Sequence, residues 1–159
     1  MKRKIKKIIS KNVIGDIVEK HTTKAPFNLV VENLTEAIKE HDFTIIATHD
    51  LKDTYQSKNL DVDFQYKIIH ICNAEKSHKA LANMSHDLGI MMPKSIVVAE
   101  QNGITTLRFM KMKPWMVSLM FPEIDIAPMS KMVTQIMRDI VLTTIKKSQE
   151  QDKSHTNPN

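Results

Sequence analysis

Tyr66, Ile68, His70 and Cys72 alternate along an apolar run, so in a β-strand they share one face. A histidine and a thiol two residues apart on one face can donate two metal ligands. Alternatively, the imidazole can lower the thiol pKa toward a nucleophilic thiolate. Lys94, directly after Pro93, becomes a further partner for the thiol if its strand lies beside that of Cys72. His70, Cys72 and Lys94 therefore form a candidate thiol site, and a thiol- or metal-dependent redox protein is one reading of the chain. Structural zinc asks for four N or S ligands, and no CxxC or HxxxH lies nearby. His78 and His86 are eight residues apart, which is not a ligand spacing. The plainer reading is a thiol packed as a small hydrophobe beside a satisfied histidine, with no metal bound.

Methionine supplies the second cluster. Ten of the eleven methionines lie between Met84 and Met137. The flexible thioether suits surfaces that repack around varied partners. Met110 and Met112 share a strand face, and Met116 and Met120 sit one helical turn apart next to Trp115. Ordinary core filling accounts for the larger share of this density. An exposed patch of Met110, Met112, Trp115, Met116 and Met120 would mark an interaction site. The leading expectation is a non-catalytic module that binds a small hydrophobic ligand or associates with a second copy of itself through this surface.

Other chemistries find little support. His49-Asp50 and Asp61-Val62-Asp63 are the acid–base pairs placed in loops, and they read better as a helix cap and solvated turn residues. With only three glycines the chain has no phosphate-cradling loop, and it has no GxSxG or HExxH. Nothing in the sequence calls for a cofactor.

The formal charge of +5 is unevenly spread. Residues 1–11 hold six basic side chains and no acid, leaving 17 basic against 18 acidic residues in the rest. The body is close to neutral, and any electrostatic pull on an anionic partner lies in the arm, residues 1–14. Ile5, Ile8, Ile9 and Val13 fall at helical spacing there, so weak contact with a membrane surface, as in a peripheral membrane protein, is a third reading. The arm has no aromatic residue, so nucleic acid is not an expected partner. Ile8-Ile9 is followed at once by Ser10-Lys11-Asn12, which is no secretory core, and no span of about 18 apolar residues occurs. One cysteine forms no intrachain disulfide, and a cytoplasmic protein is the expectation.

The elements that must position these residues are legible in outline. Pro26 opens a helix in which Phe27, Val30, Val31, Leu34 and Ile38 line one face. Strands are expected at 43–48 and 64–72, with Asp50 capping a short helix and Asn73 capping another. Two strands, at 95–99 and 105–112, join through Asn102-Gly103, the residue pair favoured in a primed hairpin turn. Pro114 to Pro122 reads as one or two helical turns, and Pro128 starts a long amphipathic helix. The fold class is α+β: one compact domain, 15–147, with a mainly antiparallel sheet and helices packed on it. The polar residues 148–159 are expected to be a disordered tail.

This order of elements, with Asp50-Leu51, an apolar strand running into Cys72-Asn73, a helix carrying Ala80, then Gly89, Pro93 and an apolar hairpin, resembles a bacterial and archaeal family known as domain of unknown function 302. The likeness covers roughly 26–112. It implies a compact α+β fold and brings no assigned activity. Many members carry a second cysteine directly after the proline matching Pro93, where this chain has Lys94. The proline usual after Cys-Asn is replaced by Ala74. If the family uses a cysteine pair, half of it is missing here.

Overall fold

The computed structural model describes residues 17–156. Five strands form one sheet: β1 (Val18–Thr23), β2 (Thr44–Asp50), β3 (Gln65–Cys72), β4 (Lys94–Gln101) and β5 (Ile104–Met110). Their spatial order is β1-β5-β4-β3-β2, and every neighbouring pair is antiparallel. The helices are α1 (Phe27–Glu40), α2 (Leu51–Gln56), α3 (Ala74–Asn83), α4 (Pro114–Met120) and α5 (Ala127–Thr156), with a 3-10 helix at His86–Met91. The α+β expectation holds, as a layer of helices on one face of an antiparallel sheet.

Local chemistry sets the ends of these elements. Asp50 accepts hydrogen bonds from the amides of Lys52 and Asp53, and so starts α2. Asn73 accepts from the Lys76 amide at 2.8 Å while its own amide group donates to the Asp42 carbonyl at 2.7 Å, tying α3 to the α1–β2 turn. Asn102 and Gly103 both take positive φ, 54° and 75°, as a primed hairpin turn requires.

The turn fixes the register. Gln101 faces Ile104, and counting back from it Val97 faces Arg108. One face of the sheet carries Ile69, Ile71, Ile96, Val98, Leu107 and Phe109, all buried. These pack against α1 through Val30, Leu34 and Ile38, and against α5 through Met137, Ile140 and Val141. A satellite core of Ala80, Leu88, Val117 and Ile126 joins α3, the 3-10 helix, α4 and the start of α5. Met84, Met91, Met92, Met112 and Met129 pack around it, so half of the clustered methionines fill space between short elements.

One expectation is corrected. Residues 148–156 continue α5 instead of forming a disordered tail. Ser148 is fully buried against α1, where the amide group of Asn33 donates to Ser148 Oγ at 3.0 Å and to Gln151 Oε1 at 2.8 Å. The inward stripe turns from apolar to polar after Ile145 but keeps its partner. The basic arm, and with it the expected membrane contact, lies outside the described residues. Within them no helix is long and apolar enough to cross a membrane.

Candidate functional site

Among the described residues no helix of the main core packs on the second face of the sheet. Strand alternation puts Val18, Met110, Ser95, His70 and Ala47 in one cross-strand row there, and Lys20, Arg108, Val97, Ile68 and His49 in the next. A groove of about 650 Å³ runs over this face, within the size range of small-molecule sites. Val18, Val97, Met110, Met112 and Met120 supply apolar wall, and Tyr66, Ser95 and Arg108 supply polar groups. A second hollow of about 360 Å³, reaching Phe64 and Ile104, shares Tyr66 and Arg108 with it.

Its electrostatics are one-sided. Among the described residues the groove is bordered by two cations, Arg108 and Lys94, and by no Asp or Glu. Among the described residues neither cation's side chain has an ion pair or a hydrogen bond. That contrasts with the covered face, where buried Glu19 gathers Arg138, His21 and Lys111.

Lys94 is the first residue of β4 and the register partner of Ile71, so it points to the helix side at the end of the sheet. There it also borders small clefts lined by Met91, Met92, Met129, Val133 and Met137. Burial in these apolar surroundings pushes its ammonium below the ordinary 10.5. A folded pKa below the unfolded one means that the unfolded chain binds more protons between the two values. Stability therefore rises with pH as the medium approaches 10.5. Lys94→Met is expected to add about 1 kcal/mol at pH 7 by urea unfolding and to flatten that alkaline rise. A loss of stability instead would mean that the ammonium has a partner.

On the uncovered face His70 Nδ1 lies 2.8 Å from Ser95 Oγ, directly across the β3–β4 pair. The ring of His49 meets that of His70 edge-on, with centroids 5.2 Å apart. The sheet thus separates the three members of the sequence-derived thiol site. His70 turns to Ser95, Cys72 Sγ donates weakly to the Asn73 carbonyl at 3.8 Å, and Lys94 belongs to the other face, although Cys72 and Lys94 both border one small cleft. Among the described residues no three His, Cys, Asp or Glu side chains converge as metal ligands.

Of the five residues of the expected apolar surface, Met110, Met112 and Met120 border the groove. Trp115 and Met116 do not; they lie on α4, with Trp115 half exposed. The sequence does not single out Ser95 or Arg108, and it places His49 in a loop as part of an acid–base pair, whereas His49 lies in β2. Counting back from Asn102-Gly103 would have put Arg108 opposite Val97. No local signal gives the β3–β4 register that pairs Ser95 with His70.

Comparison with known proteins gives a fold and no activity. The model of a family described as "Domain of unknown function DUF302" matches residues 18–142. No curated protein matches. Among solved structures, an uncharacterized conserved DUF302 protein from Bacillus stearothermophilus is similar with a TM-score of 0.64 at 20% identity, over 83% of this chain and 98% of that one.

Proposed function

Since the chain belongs to the DUF302 family, whose function is unknown, we propose a function from its own geometry: binding of a small amphipathic carboxylate in the groove of the uncovered sheet face. One observation carries this reading. An apolar groove of about 650 Å³ holds the Arg108 guanidinium in its wall, and among the described residues Arg108 has no ion-pair partner and no acid borders the groove. A guanidinium left without a partner in a partly dehydrated wall is a ready site for a planar anion. The methionine side of the groove takes the apolar body of the ligand, and thioether flexibility lets it accept chains of differing shape.

The test is displacement of a fluorescent undecanoate probe by dodecanoate and by dodecanol, each below its aggregation limit. Dodecanoate should bind the wild type more tightly than the alcohol. Arg108→Gln should weaken dodecanoate about tenfold, roughly 1.4 kcal/mol, and leave dodecanol unchanged. Met110→Asp should weaken both. Binding that ignores Arg108→Gln would overturn the reading. So would failure to bind together with a doubled mass by light scattering, which would give the face to a second copy of the chain.

A further inference from the structure

The Ser95–His70 contact joins a hydroxyl to an imidazole across the β3–β4 pair. It lies beside the groove, with Ser95 in the wall and the His70 ring on the side of β3. Arg108 is the diagonal neighbour of Ser95 across β4–β5, at a Cα separation of roughly 7–8 Å for such positions. A side chain of arginine length spans most of that distance. A nucleophile, a base within hydrogen-bond reach and a cation facing the same hollow are the three parts that acyl transfer asks for.

We infer that Ser95 and His70 form a hydrolytic dyad that cleaves esters of apolar carboxylic acids in this groove. The inference rests on the proposed carboxylate-binding reading, because the acid bound there is the product of such a reaction. Ser95 Oγ attacks the ester carbonyl carbon and its proton passes to His70 Nδ1, which requires the tautomer protonated at Nε2. The carbonyl oxygen becomes an oxyanion facing the Arg108 guanidinium. The C–O bond to the alcohol then breaks, and the alcohol leaves with the proton held by His70. Water, deprotonated by His70, attacks the acyl-Ser95 ester and releases the carboxylate, and the proton returns to Ser95. No oxidant or reductant enters. Among the described residues no carboxylate bonds the His70 ring, so turnover is expected to be slow and an acyl-enzyme to accumulate.

The experiment treats the full chain with p-nitrophenyl decanoate and, separately, with an alkyl fluorophosphonate, and locates adducts by peptide mass. Expected are a nitrophenolate burst, a phosphonyl or decanoyl adduct on Ser95, and faster reaction with decanoate than with acetate esters. Ser95→Ala should abolish both adducts and lower turnover at least about hundredfold. His70→Gln, which keeps a polar partner for Ser95, should slow labelling of Ser95 to a similar degree with the circular dichroism spectrum unchanged. Labelling spread over lysines, or hydrolysis equal in wild type and Ser95→Ala, would overturn the dyad. If dodecanoate binding still depends on Arg108 in that case, the binding reading survives alone; if it does not, both fall.

Discussion

Glu19→Gln is expected to lower the unfolding free energy by about 2 kcal/mol at neutral pH and to reduce the loss of stability between pH 4.5 and 2. Glu19 lies on the helix-covered face opposite Phe109 and is buried. Arg138 of α5 donates to both of its oxygens at 2.7 Å, and His21 Nε2 lies 2.9 Å from one of them. The bidentate Arg138 contact is the main force that holds the carboxyl down to about 2, against the upward push of burial, with His21 and Lys111 adding to it. The ordinary value is 4.5. A folded pKa below the unfolded one gives stability that is complete above 4.5 and is lost as pH falls toward 2. Arg138 is a third exposed, so the effect is smaller than the 3–5 kcal/mol of a fully buried pair. Urea unfolding of wild type and Glu19→Gln from pH 7 to 2 measures it. Curves that stay parallel throughout would show that the carboxylate is not what fastens α5 to β1.

Which parts of this molecule could be read from its residues follows from the range over which each signal acts. The caps at Asp50 and Asn73, the Asn102-Gly103 turn and the Phe27 to Ile38 stripe each depend on a few neighbouring residues, and all appear in the structure. The sharing of one face by His70 and Cys72 was also local and follows from alternation. That Lys94 would join them was not, because it depends on register across the 3-10 connection. The pairing of Ile71 with Lys94 sends the lysine to the helix side. Methionine density was legible, but the division of labour within it was not. Met84 and Met129 pack on a satellite core, while Met110 and Met120 stand 64% and 50% exposed beside a groove, and composition carries no mark that separates the two. Arg108 illustrates the opposite limit. An arginine in a strand looks like a solvated edge charge until the structure sets it in a groove wall with no ion pair among the described residues.

The helix beyond Lys147 gives the second large effect. Ending the chain after Lys147 is expected to cost about 2 kcal/mol, even though the residues removed are nearly all polar. Asn33, at 2% exposure in α1, donates to Ser148 and Gln151, and no other side-chain acceptor is described for it. Removing both acceptors leaves a dehydrated amide without a partner, which costs about 1–3 kcal/mol, and loss of packing across α1–α5 adds to it. The two contributions separate in a double variant. Asn33→Leu in the truncated chain replaces the orphaned amide with an apolar group of similar size and should recover about half of the loss, whereas the same change in the full chain should be destabilising. Thermal unfolding of the four proteins completes the cycle. Equal effects of Asn33→Leu in both backgrounds would mean that Asn33 gains nothing from the last turns of α5. Those turns would then be helical for local reasons alone, and a polar stripe of this kind could not be taken as a sign of packing in the sequence of a relative.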